Sequence, residues 1–150
     1  MSVRRIGLCG LAASAMLLTG AADETELGTI DVHVSNVRNA KGVVRACLAS
    51  KASDFPGCDT TPARWKLKTP ADDSVVLRFT GLKPGRYAFA ILHDENNNNK
   101  ADTALSMIPK EGFAFSRDAK ASFGPPKFDA AAVNVRPGRQ MIQVKMRYVF

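Results

Sequence analysis

The stretch VVLRFTGLKPGRYAFAIL, residues 75–92, decides the fold of this chain. Apolar residues recur at every second position from Val75 to Phe79, which is the spacing of a β-strand with one buried face. Residues 83–85, Lys-Pro-Gly, then provide a turn. From Tyr87 onward both alternating sets are apolar, which is typical of a strand that is covered on both faces. We therefore predict two strands joined by a tight turn, with the second strand central in its sheet.

The same two-residue alternation appears in five further segments. They lie at Ile30–Val34, Val44–Leu48, Ala63–Leu67, Val133–Val135 and Ile142–Tyr148. Turn residues separate these segments, and the chain after residue 22 has no convincing helical period. We expect an all-β fold, a two-sheet antiparallel sandwich of about seven strands, immunoglobulin-like or transthyretin-like. Residues 93–130 break the rhythm, and we expect one long ordered loop there, because its phenylalanines can anchor it to the sandwich.

Residues 1–22 have the three parts of a secretory signal peptide. Arg4 and Arg5 precede an uncharged apolar run, and small residues end the segment at Ala21 and Ala22. The run is shorter than the roughly 18–20 residues that span a bilayer. We expect cleavage near Ala21 or Ala22, a periplasmic or secreted protein, and a single domain over residues 23–150 without a transmembrane segment.

Two cysteines, Cys47 and Cys58, remain after removal of the leader. In an oxidising compartment two such thiols usually pair. We expect a disulfide, and the alternative is two free or metal-binding thiols.

Composition and charge exclude one class of partner. The chain has 150 residues and a formal net charge of +7, but its basic residues are scattered. A nucleic-acid site needs a concentrated basic stripe. Nucleic acid is therefore not an expected partner.

An Asn/Asp-rich loop follows the central strand and is the main candidate for a metal site. In residues 93–102, HDENNNNKAD, oxygen-bearing side chains recur at every second position. An EF-hand-type loop presents oxygens to Ca²⁺ with this spacing. The predicted ligands are Asp94, Asn96, Asn98, the Lys100 carbonyl and Asp102.

The match to such a loop has two defects. Asn99 stands at the sharp-turn position, which is normally Gly, although Asn tolerates left-handed backbone. Leu105 stands where a bidentate carboxylate belongs, and Glu111 can replace it only if the chain turns back. Any calcium affinity should be weak. The alternative is a polar turn in which Asx side chains bond their own backbone.

Three hypotheses about function follow. The first is an exported non-catalytic binding or interaction module for a small ligand, a cell-envelope partner or Ca²⁺, with His93, Phe113 and Phe115 facing the ligand. The second is a purely structural domain that is stabilised by Ca²⁺ or by a polar Asx turn. The third is an enzyme of unknown class that uses His93, Asp94 and Glu111, although no serine lies in a Gly-x-Ser-x-Gly setting.

Several segments together resemble an uncharacterised bacterial family, the domain of unknown function 2141. They are residues 37–42, Phe79, residues 81–88, residues 93–96 with Lys100 and Asp102, residues 108–113, residues 115–116 and residues 123–126. The resemblance implies an exported, sandwich-like bacterial domain and carries no established activity, ligand or catalytic residue. The family commonly has Gly in the Asn-rich loop, and residues 97–99 depart from that pattern.

Overall fold

The protein is described by a computed structural model that covers residues 26–104 and 108–150. The predicted signal peptide lies outside the described residues. The strands are β1 (Gly28–Ser35), β2 (Val43–Ala49), β3 (Lys66–Pro70), β4 (Val75–Leu82), β5 (Gly85–Asp94), β6 (Thr103–Ala104), β7 (Ile108–Pro109), β8 (Gly112–Phe115), β9 (Val133–Val135) and β10 (Gly138–Lys145). Short 3-10 helices lie at Ala52–Asp54, Ala63–Trp65 and Ser116–Asp118, and α1 spans Phe128–Ala131.

Eight of these strands form two sheets that share one core. One sheet has the order β10-β1-β4. The other has the order β3-β2-β5-β8, and is called the four-stranded sheet after it, with β9 added by its pairing with the start of β5. Strands β6 and β7 form a separate small hairpin. The predicted all-β sandwich is confirmed, and β5 is central as expected, since it lies between β2 and β8.

One pair differs from the antiparallel prediction. Strand β10 lies parallel to β1 over the full length of both strands. Alternation of apolar residues fixes which face of a strand is buried but carries no information on strand direction. The parallel pairing of β10 with β1 could therefore not be predicted from the periodicity of the sequence.

The core lies between the two sheets, where their alternating apolar side chains meet. Phe79 of β4 and Phe89 of β5 stack across the interface with ring centroids 6.4 Å apart. Trp65, Leu77 and Val144 are at most 9% exposed. These buried side chains are the ones that the two-residue alternation predicted. Because they point inward, their neighbours along each strand point outward.

The turn before β5 is held by Tyr87. Its hydroxyl donates a hydrogen bond to the Lys83 carbonyl at 3.0 Å, and its ring packs edge-on against Trp65. Gly85 lies at the end of this turn with φ of 157°. Tyr87 thus anchors the turn and the core together, as immunoglobulin-like sandwiches do with a corner tyrosine.

Two predictions about local structure were wrong. Residues 93–130 are not a strandless loop, because β8 adds a fourth strand beside β5. The inward positions of β8 hold small residues, Gly112 and Ala114, and its phenylalanines point outward, so the usual hydrophobic alternation is inverted. The third strand begins at Lys66 and not at Ala63, because Trp65 donates its N–H to the Pro62 carbonyl and closes a 3-10 turn.

The predicted disulfide is confirmed, and it joins Cys47 of β2 to Cys58. It ties the segment after β2 to the outer surface of that strand. Within residues 26–104 and 108–150, no helix has the length and apolar character needed to cross a membrane.

Candidate functional site

A cleft of about 1260 Å³ lies on the outer face of the four-stranded sheet. The outward side chains of β3, β2, β5 and β8 form its floor. Three segments form its walls: the disulfide loop at residues 56–59, the Asn-rich loop with the small hairpin at residues 99–103 and 108–109, and residues 121–125. Ligand sites are typically concave and mainly apolar, with a few polar groups. The cleft has that general form.

The strand register places the floor residues in two rows across the sheet. One row runs from Lys68 through Arg45 and Leu92 to Phe113. The second row runs from Lys66 through the disulfide cysteine Cys47 and Ala90 to Phe115. Directly paired residues on neighbouring strands point to the same face. The floor is therefore cationic on the β3 side and apolar on the β8 side.

The wall of the cleft also carries exposed apolar side chains. Phe123 is 99% exposed and lines the cleft, and Val149 near the end of the chain is 53% exposed. Phe113 is half-buried. Single exposed apolar residues are ordinary, whereas several around one concavity indicate a binding surface.

The two central cations of the floor, Arg45 and Lys68, lie directly opposite each other on β2 and β3. Like charges in such a pair repel and destabilise a sheet. Arg45 is partly neutralised by Asp94, whereas Lys68 makes no ion pair with the described residues. Lys66 adds a third positive charge one position along the face.

Asp94 is fully buried at the end of β5 and accepts three hydrogen bonds. The donors are Nε of Arg45 at 2.6 Å and the backbone N–H groups of Asn98 and Asn99 at 3.0 Å. Burial raises the pKa of the Asp94 carboxyl, but these donors outweigh burial, so the pKa lies below the usual value. The carboxylate thus fixes both the start of the Asn-rich loop and the guanidinium in the cleft.

The rest of the Asn-rich loop is held by its own side chains. The amide groups of Asn96 and Asn98 both donate to the Asp102 carboxylate, at 2.7 and 3.0 Å. The Lys100 N–H donates to Asn98 Oδ1 at 2.9 Å. Asn99 has a φ of 66°, in the left-handed region that was expected for it.

The chain does turn back and brings Glu111 to this loop. Its carboxylate accepts the backbone N–H groups of Glu95 and Asp102, each at 3.1 Å. Burial is the main cause that raises the pKa of Glu111, and the Asp102 and Asp94 carboxylates add to it. Within the described residues, no three His, Cys, Asp or Glu side chains are grouped so as to hold a metal ion.

His93 lies in the core and not in the cleft. Its Nε2 is 2.8 Å from the Lys41 carbonyl and its Nδ1 is 2.9 Å from the Tyr148 hydroxyl. The Arg38 N–H donates to that hydroxyl, which leaves the Tyr148 O–H to donate to Nδ1. This pattern assigns the imidazole proton to Nε2. At 0% exposure, His93 does not face a ligand in solvent.

The structure therefore divides the residues that the sequence suggested. Phe113 and Phe115 line the cleft, and their contact with a ligand stays a prediction. The predicted calcium ligands lie together beside the cleft in one hydrogen-bonded group: Asp94, Asn96, Asn98, Lys100, Asp102 and Glu111. The residues that the sequence suggested for the site do not include Arg45, Lys66, Lys68, Leu92 or Phe123. The alternating lysines of β3 were visible in the sequence, but only the register of four strands places them opposite phenylalanines.

Comparison with known proteins identifies one family. A family model described as "uncharacterized protein conserved in bacteria (DUF2141)" matches residues 32–143. No curated protein and no solved structure matches the chain. The match runs from the middle of β1 through most of β10 and includes all strands of the cleft floor.

Proposed function

Because the chain belongs to this uncharacterised bacterial family (DUF2141), which carries no assigned activity, we propose a function from the site alone. The protein is an exported, non-catalytic binding module, and its ligand site is the cleft on the outer face of the four-stranded sheet. The leader at residues 1–22 supports export. The single observation that carries the proposal is a cleft of about 1260 Å³ whose floor is apolar on the β8 side and whose lining includes the exposed Phe123.

The arrangement of polar groups supports binding over catalysis. A general base needs to reach a reacting atom, and His93 is enclosed by protein. Asp94 and Glu111 are buried, and their carboxylates already accept hydrogen bonds from Arg45 and from backbone N–H groups, respectively. These residues stabilise the wall of the cleft, so an enzyme built on His93, Asp94 and Glu111 is the weaker hypothesis.

Binding of a neutral solvatochromic dye tests this proposal. We expect the wild-type protein to bind Nile red with a saturable rise in fluorescence and Phe123→Ser to weaken binding. Met141→Ser is the matched control, because Met141 is 66% exposed and lies on the outer face of the other sheet. No saturable binding by the wild-type protein, or equal losses in both variants, would contradict the proposal.

Calcium binding by the Asn-rich loop is a second candidate, favoured by the return of Glu111 to the loop. Burial is the main cause of the raised pKa of Glu111, and the Asp102 and Asp94 carboxylates add to it; a bound cation would offset the negative charge of these neighbours. Thermal melts in CaCl₂ and in EDTA decide the point. Calcium at ten times its Kd should stabilise the fold by about 1.4 kcal/mol, and Asp102→Asn should remove the effect. Identical melts would leave the loop held by hydrogen bonds alone.

A further inference from the structure

The class of ligand follows from the contrast between the cationic and the apolar side of the cleft floor. This inference rests on the proposed function. We propose that the cleft takes an amphiphile with a terminal carboxylate. The carboxylate lies between Lys68 and Arg45, and the hydrocarbon body lies over Leu92 and Phe113. The partner is thus a medium- or long-chain carboxylic acid, bound as its anion.

The first argument is the uncompensated positive charge of the floor. Arg45 uses its Nε for Asp94 and its Nη2 for Asn97, at 2.6 and 2.9 Å. Its Nη1 makes no hydrogen bond with the described residues, and neither does the Lys68 ammonium. The two side chains are directly opposite each other, so each raises the electrostatic energy of the other. A carboxylate between them removes this repulsion and can accept hydrogen bonds from both.

The acidic groups that line the cleft do not supply this compensation. Asp102 is engaged by the amides of Asn96 and Asn98. Glu111 is 5% exposed and bound to two backbone N–H groups. Asp59 lies in the disulfide loop, where its carbonyl is 3.5 Å from the Lys66 ammonium. The Asp59 carboxylate makes no ion pair with Lys68 or Arg45 among the described residues, so no acidic side chain that lines the cleft pairs with either cation.

The second argument is the apolar path that leads away from the cations. Along the row, Arg45 is followed by Leu92 and then by Phe113, with Ala90 and Phe115 in the adjacent row. Three strand spacings separate Lys68 from Phe113, which is roughly 14 Å at about 4.8 Å per spacing. Phe123 adds exposed apolar surface to the wall of the cleft. An anionic head with a hydrocarbon tail matches this order, whereas a fully polar anion would leave the apolar half unused.

Displacement of bound Nile red by three ten-carbon compounds tests the assignment. Decanoate, decanol and decylammonium share one tail, are used below micelle formation, and differ only in charge. At low salt we expect decanoate to compete about three- to tenfold more strongly than decanol, and decylammonium to be the weakest. High salt should reduce the preference, since the cations are partly exposed. Octanoate should bind more weakly than decanoate, by up to about fourfold per lost methylene.

Three variants locate the carboxylate. Lys68→Gln should remove the preference for decanoate over decanol, and Lys68→Arg should retain it. Lys145→Gln is the control, because Lys145 lies on the outer face of the other sheet, and it should change nothing. Lys68 is exposed at the edge strand, so these changes leave the core intact.

The possible failures are distinct. If decanol and decanoate compete equally with the wild-type protein, the carboxylate assignment is wrong while the cleft remains a binding site. A preference for decylammonium would likewise overturn it. If Nile red itself does not bind, the proposed function fails first. A preference for decanoate that survives Lys68→Gln would place the anion elsewhere and refute the Lys68–Arg45 site.

Discussion

Asp94→Asn tests whether the buried pair with Arg45 holds the Asn-rich wall against the sheet. The carboxylate is fully buried, and it accepts the Arg45 Nε–H at 2.6 Å and two backbone N–H groups of the loop. Asparagine keeps one acceptor oxygen and places an amide N–H₂ either where Arg45 and Asn99 both donate or where Asn98 donates. A charge-assisted hydrogen bond worth about 1.5–3 kcal/mol is lost, and a buried donor left unpaired costs about 1–3 kcal/mol. We expect the free energy of unfolding to fall by about 3 kcal/mol, near the lower end of the combined effect, because the Arg45 side chain is 23% exposed and can be hydrated.

Urea denaturation at neutral pH measures this loss in the free energy of unfolding. Asp129→Asn is the matched control, because it makes the same change in an exposed ion pair with Arg86, in which the Asp129 side chain is 81% exposed. The control should lose less than about 1 kcal/mol. Equal losses in the two variants would refute the view that the buried pair fixes the loop.

The same variant has a defined pH dependence. The pKa of Asp94 is lower in the folded protein than its usual value. Its stabilising effect is therefore complete above the unfolded pKa of about 3.9 and is lost as the pH falls through the folded pKa. The difference in stability between wild type and Asp94→Asn should be constant near neutrality and shrink in acid. A difference that does not shrink in acid would contradict the ionic origin of the effect.

Three further predictions concern elements around the cleft and the core. Replacing Cys47 and Cys58 together by Ser should lower the free energy of unfolding by about 2–3 kcal/mol. Reductant should lower the melting temperature of the wild type but not of the double variant, and equal sensitivity of the two proteins would contradict a stabilising disulfide. Gly112→Ala should cost about 1–3 kcal/mol in urea denaturation, because a Cβ there overlaps the Tyr148 ring; an unchanged midpoint would show that the ring moves freely. Tyr148→Phe should lower the free energy of unfolding by about 1–3 kcal/mol, since it removes the hydrogen-bond partner of His93 Nδ1 and of the Arg38 N–H. Hydrogen exchange of the Arg38 amide should accelerate, and an unchanged rate would contradict the bond between the Arg38 N–H and the Tyr148 hydroxyl.

The sequence predicted the long strands because their alternation records which face is buried. Leu77, Phe89 and Val144 point into the core as their spacing requires. Strand β8 was missed because Gly112 and Ala114 face inward, and small residues give a weak apolar signal. The parallel pairing of β10 with β1 was also beyond reach, because a period of two is the same in both directions.

The candidate site was predictable only in part. Phe113 and Phe115 were singled out as aromatic residues in an unusual segment, and the disulfide was expected from the cysteine count. The cleft itself depends on the register of β3, β2, β5 and β8, which aligns Lys68 with Phe113 across four strands. Register comes from long-range pairing, so no local pattern contains it. His93 was assigned to a ligand because polar loop residues follow it, whereas its own position is an inward one of β5.

Amide chemical shifts of isotope-labelled protein, titrated with decanoate and separately with decanol, show where each compound binds. We expect saturable shifts for both compounds at Arg45, Leu92 and Phe113, on the floor of the cleft. Decanoate should add shifts at Lys68. Shifts that cluster instead at His33 and Met141, on the outer face of the other sheet, or the absence of any saturable shift, would contradict binding in the cleft.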